Sequence, residues 1–486
     1  VSAPHAQLLL RYARARLVPV VILVADGARP DTLRAALDRG ALPALARLRD
    51  EGGLFDITTV FPSVTGPAYT PFVMGRHPAT VGLPGLRWYD RSRTLLRWPY
   101  ARSYVGLEYR RFATDLAPEA PTLWESTPRT LGALPVIARG LPLSQEVGRG
   151  VAYSSRAVWA HVRGDVRGWL AIDRATGAEF VQRWAAEQPA FAMAAFTGVD
   201  KTSHAFGPAS EAVGEALAIV DDVAAGIRQA AEAAGTWAQT HLWIVSDHGH
   251  EPVHTHEDLA AVVRAMGYRT AAHPFEWPRR ADVAVMVSGN AMAHVYVDLA
   301  QRTRPGWTAL RNTWTTFANA LVARRSVDVA LLPELDGACL VQSAAGTARV
   351  SCVAARWSYT PLTGDPFGVG ALHALDHAAA HEAMAASDYP DALVQCTSIA
   401  ASARSGDLIL SSAAGWDFRA RWEPIPHVSS HGSLRRAHMA VPLLVNRPPA
   451  RTPRRTTDIG ATAFMLGGTT TPRVLDGHAW LGVEPG

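Results

Sequence analysis

The chain has 486 residues, 48% of them hydrophobic and 19% charged, with a formal net charge of +4 and a pI near 9.1. This is an ordinary globular composition, long enough for a large core and for more than one average domain. No stretch reaches the roughly 18 apolar residues of a spanning helix, and no basic block interleaved with aromatics offers a nucleic-acid platform. The small positive charge is an arginine excess in which Lys201 is the only lysine, a bias that fits a GC-rich coding sequence. RYARAR at residues 11–16 is short enough to be one helix face. The first residue is Val, which leaves room for a removed leader.

In chain order, LVPVVILVAD reads as a strand ending at Asp26, RPDTLRAALDRG as a helix, and a second strand precedes FPSVTG. Residues 86–145 are rich in Arg, Trp, Tyr and Pro and read as an irregular insertion near a site mouth. A strand at FAMAAFTGVD, a long helix at EAVGEALAIVDDVAAGIRQAAEAAG and a strand at HLWIVSDHG follow. From about 268 to 424 the pattern turns to β-type runs such as AMAHVYVDLA, with helical stretches between, and is expected to form an inserted cap. AVPLLVN and TTDIGATAFMLGG then read as a strand and a threonine-capped helix. The expected organisation is a catalytic core at 17–267 with the insertion at about 86–145, a cap at 268–424, and a second core segment at 425–486. The expected fold class is α/β, a mostly parallel sheet sandwiched by helices with an inserted α+β cap. No internal repeat or low-complexity linker is present.

Several apolar runs stop abruptly at Asp or His. In a parallel sheet the carboxyl ends of neighbouring strands lie along one edge, so Asp26, Asp200, His204, Asp247, His248 and His431 can converge despite their separation. Carboxylates and imidazoles suit zinc better than calcium or magnesium, and manganese or iron also fits. Two such ions would clamp the attacking and leaving oxygens of a displacement at phosphorus. Thr65 is the candidate attacker, ahead of Ser63 and Thr70, because Gly66-Pro67-Ala68-Tyr69-Thr70 could open a helix whose amino end favours phosphoryl charge. There is no Gly-x-Ser-x-Gly elbow, phosphate-binding Gly-x4-Gly-Lys loop, His-Glu-x2-His or Cys-x2-Cys, so those chemistries lose their usual support.

VADGARPD, FPSVTGPAYTPFVMGRHPATVGL, GVDKTSHAFGP, IVSDHG and SSHGS, in this order, resemble the alkaline phosphatase superfamily, and within it the nucleotide pyrophosphatase/phosphodiesterase branch. The resemblance implies an alkaline-phosphatase-like fold and two zinc ions. One would be held by Asp200, His204 and His431, the other by Asp26, Asp247 and His248 with the Thr65 oxygen facing it. A phospho-threonine intermediate would follow, and exported or periplasmic placement is common in the family. Threonine at the nucleophile position matches the phosphodiesterase branch, where alkaline phosphatases proper carry serine.

The chain also departs from the pattern. The branch usually carries an asparagine on a phosphoryl oxygen shortly after the nucleophile segment, whereas here the stretch reads GLPGLRWYDR. Arg87 is the nearest donor, and a guanidinium would favour a phosphate dianion and hence monoesters. The sulfatase Cys-x-Pro-x-Arg segment is approached only by Cys352-Val-Ala-Ala-Arg356, without the proline. His250, His254 and His256 form a dense cluster after the metal-binding pair and read as accessory or supporting residues, as do His427 and His438.

The expected function is a two-zinc phosphoesterase acting on phosphodiester or nucleotide-type pyrophosphate bonds of small molecules. An alkaline-type phosphomonoesterase, a phosphonoacetate-type hydrolase, a phosphomutase and an inactive phosphate-ligand binding protein are the alternatives. In GACLVQSAAGTARVSCVAA, a two-residue loop at Ala345-Gly346 would place Cys339 opposite Cys352, an arrangement suited to a disulfide, with Cys396 free. Such a bridge would favour an oxidising compartment.

Overall fold

The computed structural model describes residues 18–93, 100–105, 111–148, 151–274, 276–419, 427–467 and 471–481. A seven-stranded sheet forms its centre, in the order Leu54–Thr58, Ala440–Val445, His241–Val245, Val20–Ala25, Phe191–Phe196, Thr130–Ala133, Glu146–Val147. Only Ala440–Val445 runs against the others. The run VVILVA is apolar throughout because both faces of its strand are covered. Val20, Ile22 and Val24 enter one core cluster, whereas Val21, Leu23 and Ala25 enter the other.

Register carries this sheet into function. Ala25 lies opposite Phe196, and Val24 lies opposite Val245. The residues that follow these strand ends therefore reach the same edge, which is where Asp26, the helix Gly198–Phe206 and Asp247 begin.

Residues 270–412 supply a second, nine-stranded sheet, antiparallel except where Thr270–Ala272 meets Val283–Ser288. A small three-stranded sheet joins Gly415–Asp417, Glu251–His256 and Ser429–Ser430. Ser430 pairs with Glu251 there, which sets His431 beside Asp247 and His248 although some 180 residues separate them.

Three expectations need correction. The hairpin loop is Ala344-Ala345, one residue earlier than expected, with Ser343 opposite Gly346. Cys339 consequently faces Val350, Cys352 faces Trp357 in the next strand, and all three cysteines are free. The physical reason is Gly346, at φ +132°, where a Cβ would come within 1.8 Å of the Thr363 carbonyl oxygen. That glycine serves close approach to Arg356–Gly364 and not the turn.

The second correction lies within 86–145, where Thr130–Ala133 joins the central sheet beside Phe191–Phe196, outside any irregular insertion. Thirdly, the helix Thr457–Gly467 is not threonine-capped: the Thr456 and Thr457 hydroxyls lack partners among the described residues. Asp458 instead accepts the Arg454 and Arg455 amides. RYARAR lies outside the described residues.

A buried bidentate ion pair ties the C-terminal segment to the chain around the nine-stranded sheet. Arg455 donates from Nη2 to Asp391 Oδ1 at 2.6 Å and from Nε to Oδ2 at 2.8 Å. Gln395 bonds Asp391 and also accepts the Phe61 amide, so the cluster supports the loop before Thr65. Burial raises the Asp391 pKa, but the Arg455 guanidinium more than offsets it and holds the carboxyl at about 2, below its ordinary 3.8. A depressed folded pKa means this contribution is complete above pH 3.8 and is lost as pH falls through about 2. Arg455→Met should cost about 3–5 kcal/mol by leaving a buried carboxylate unpaired. Thermal unfolding of that variant and of Arg455→Met/Asp391→Leu checks this, the double variant recovering most of the loss.

Candidate metal centre

Two clusters of carboxylates and imidazoles meet at the carboxyl edge of the central sheet. In one, donor atoms of Asp26, Asp247 and His248 all lie within 4.8 Å of one another. In the other, the same holds for Asp200, His204, His250 and His431. The rings of His248 and His431 stack across the boundary, with centroids 3.6 Å apart and planes 7° from parallel.

Local chain geometry explains the convergence. Gly27 has φ +77°, and its amide donates to Asp247 Oδ1 at 3.2 Å. A Cβ there would sit 2.8 Å from the His250 ring and 3.2 Å from the Asp200 backbone, so only glycine lets Asp26 approach both neighbours. The helix Gly198–Phe206 places Asp200 and His204 one turn apart on one face. Its amino end is held by Asp173, which accepts the Gly198 amide at 2.6 Å. Burial raises that carboxyl to about 7, against the lowering effect of the amide bond.

Thr65 sits at the mouth of the Asp26 cluster. Its Oγ1 is 3.2 Å from Asp26 Oδ1 and 3.0 Å from His248 Nε2. Gly66 follows with φ +101°, and a short helical turn, Pro67–Tyr69, opens immediately after it. The buried Tyr69 hydroxyl reaches Asp26 Oδ2 at 3.5 Å, and burial with the Asp26 charge keeps that phenol protonated.

Backbone carbonyls fix the histidine tautomers. His204 Nδ1 donates to Ser429 O at 2.8 Å, His431 Nδ1 to Ser63 O at 3.1 Å and His248 Nδ1 to Gly249 O at 3.0 Å. A carbonyl oxygen cannot donate, so each ring keeps Nε2 for the pocket. His204 and His431 direct those nitrogens to Asp200 Oδ1, at 3.2 and 3.5 Å. His248 Nε2 lies 3.3 Å from Asp26 Oδ1 and 3.4 Å from Asp247 Oδ2.

The donor set fits bound cations. Asp247 Oδ2 is fully buried without a hydrogen-bond partner among the described residues, a costly orphan that a cation would satisfy. Burial and the adjoining Asp26 carboxylate push the Asp247 pKa well up. Burial pulls His248 down, but the Asp247 and Asp26 carboxylates outweigh it and raise the ring to about 9. Burial and the neighbouring His248 charge keep His431 neutral. Both shifts report a negative field on the Asp26 side, which a divalent ion would offset.

The seven residues named from the sequence as metal donors, with Thr65 among them, all come together here. Arg87, named as a substrate contact and not as a metal donor, has its Nη1 donating to the Val287 carbonyl oxygen at 3.3 Å, in the nine-stranded sheet. His256 pairs with Asp417, His254 is exposed, and His438 accepts the Ser433 amide. His427 stacks on His204 with centroids 4.1 Å apart and bonds Asn290.

Two residues at the centre had drawn little weight from the sequence. His250 comes within 2.9 Å of Asp200 Oδ1, and Lys201 places Nζ 2.8 Å from Asp200 Oδ2. Burial raises the Asp200 pKa, yet the Lys201 and His204 charges carry it well below the ordinary range. The signals were DHGH at the metal pair and a single lysine in an arginine-rich chain.

The model of the type I phosphodiesterase / nucleotide pyrophosphatase family matches residues 20–434. The fold is shared with the phosphonoacetate hydrolase of Sinorhizobium meliloti 1021 bound to phosphonoformate, at TM-score 0.56 and 17% identity over 93% of this chain and 96% of that one. It is shared equally with murine ectonucleotide pyrophosphatase/phosphodiesterase 5, in an inactive threonine-to-alanine form bound to AMP. There the TM-score is 0.57 and the identity 14%, over 94% of this chain and 97% of that one. The human counterpart aligns with TM-score 0.57 and 15% identity over the same shares. No curated protein matches the chain by sequence.

Proposed function

The chain belongs to the type I phosphodiesterase / nucleotide pyrophosphatase family, an alkaline-phosphatase-like group of metal-dependent hydrolases of phosphoric esters, and from that premise we propose that it hydrolyses phosphodiester or nucleotide-type pyrophosphate bonds through Thr65. The observation that carries this reading is the position of Thr65 Oγ1 at the Asp26 cluster, 3.0 Å from His248 Nε2 and 3.2 Å from Asp26 Oδ1.

Asp26, Asp247 and His248 would hold one ion, and Asp200, His204 and His431 the other, with zinc the best match to mixed oxygen and nitrogen donors. Bound there, the two ions would supply the positive charge that lowers the Thr65 hydroxyl pKa and offsets charge on the phosphoryl oxygens. Thr65 Oγ1 then attacks phosphorus in line, and the alcohol or phosphate leaving group departs opposite it. A phospho-threonine ester remains, which water hydrolyses. With the hydroxyl pKa lowered in this way, Thr65 would give its proton to solvent as it attacks, so no dedicated histidine base is required.

The threonine-to-alanine change in the inactive murine form bound to AMP is consistent with this assignment. Diester preference is the point at which the missing family asparagine matters most. Arg87, bonded to Val287, remains a candidate contact for a second phosphate charge. The test is kcat/KM of zinc-loaded protein on bis-p-nitrophenyl phosphate and p-nitrophenyl phosphate. At least about tenfold preference for the diester is expected, while monoester preference lost in Arg87→Met would favour a phosphomonoesterase.

A further inference from the structure

The hydrogen bonds around His250 determine what its free ring nitrogen offers. The Ser429 hydroxyl has one proton and donates it to the Ser203 carbonyl oxygen at 2.6 Å. Toward His250 Nδ1, 3.1 Å away, the same oxygen can therefore only accept. Nδ1 carries the ring proton, and Nε2 presents its lone pair 2.9 Å from Asp200 Oδ1.

An ionised carboxylate oxygen has no proton to give either. Donor atoms of Asp200, His204, His250 and His431 all lie within 4.8 Å of one another, so one cation among them would meet all four. His204 and His431 stand in the same relation to the same oxygen, at 3.2 and 3.5 Å, with their Nδ1 protons likewise committed. These spacings bracket the roughly 3.3 Å edge of a tetrahedron with bonds of about 2.0 Å. The ring cannot simply swing aside, since it packs against Gly27 where even a Cβ would come within 2.8 Å.

We propose that His250 is a fourth protein ligand, completing a three-imidazole, one-carboxylate shell with Asp200, His204 and His431. The inference rests on the reading of those three residues as ligands of one ion. It divides labour between the clusters. A four-ligand tetrahedral shell is closed, as in structural zinc sites, whereas Asp26, Asp247 and His248 leave a fourth place beside Thr65. The histidine-rich ion must take a fifth ligand to meet a substrate oxygen, so attack centres on the Asp26 side.

The test is a crystal structure of zinc-loaded protein with anomalous data at the zinc edge, paired with chelator competition on the wild type and His250→Met. The expected result is His250 Nε2 about 2.0–2.1 Å from zinc. The variant should bind the ion of this cluster more than about 100-fold more weakly, beyond the 10–100-fold that losing a supporting hydrogen bond costs, with the other ion unaffected. Unchanged affinity at the Asp26 cluster reports that the variant is folded. Zinc on Asp200, His204 and His431 with His250 Nε2 beyond 3 Å would overturn the inference while leaving the proposed function standing. Zinc at neither cluster would overturn both.

Discussion

Thr65→Ala should lower kcat/KM of the zinc-loaded protein by at least about 10³-fold while leaving two ions bound per chain. The loss is large because the neighbouring serine and threonine hydroxyls of this segment are committed elsewhere. Ser63 donates to the Ser433 carbonyl oxygen, and Thr70 to the Pro67 and Arg76 carbonyl oxygens, so both point away from the clusters. Metal retention follows because Asp26, Asp247 and His248 remain mutually within 4.8 Å without the threonine. Thr65→Ser, which keeps the nucleophilic oxygen, should stay within about tenfold of the wild type. Turnover paired with metal analysis of both variants checks this. Near-normal activity of Thr65→Ala would remove the nucleophile assignment.

Stripping the metal should have the second-largest effect. Exhaustive chelation is expected to abolish turnover, and added zinc to restore it, because the two ions would supply the charge that lowers the Thr65 hydroxyl pKa and offsets charge on the phosphoryl oxygens. Stability should fall as well. Three buried carboxylates, Asp26, Asp200 and Asp247, share this pocket, and Asp247 Oδ2 is left without a hydrogen-bond partner among the described residues. A ligand present at a thousand times its Kd stabilises the folded state by about 4 kcal/mol, so the melting temperature should rise with zinc concentration. Calorimetry of stripped and reloaded protein measures this. A chelated protein with full activity would contradict the metal assignment outright.

The Asp26 side of this centre was legible because its ligands follow runs of apolar residues that end abruptly. VVILVA stops at Asp26 and HLWIV stops just before Asp247, and parallel pairing in register brings both stops to one edge. What remained hidden depended on partners far away in sequence. The strand Thr130–Ala133 has a short TLGA sequence with no periodic signal, and only its pairing with Phe191–Phe196 makes it part of the sheet. The hairpin register turned on whether Gly346 served a turn or a close strand contact, and both uses give the same local sequence. The chemistry of His250 depends on Ser429, 179 residues on, which decides the ring nitrogen that carries the proton.

Lys201 illustrates the same limit from the opposite direction. A lone lysine among arginines is visible at once, yet its pairing with Asp200 emerges only from the helix that carries both. The compact ammonium reaches one carboxylate oxygen and leaves the other facing three imidazoles, a division that a broad guanidinium fork would not respect.

The most direct measurement is the stereochemical course at phosphorus, using a phosphorothioate diester of known configuration hydrolysed in isotopically labelled water. Each in-line displacement inverts the centre, so attack by Thr65 followed by attack of water should give net retention. Net inversion would mean that water attacks phosphorus directly and that Thr65 does not carry the phosphoryl group.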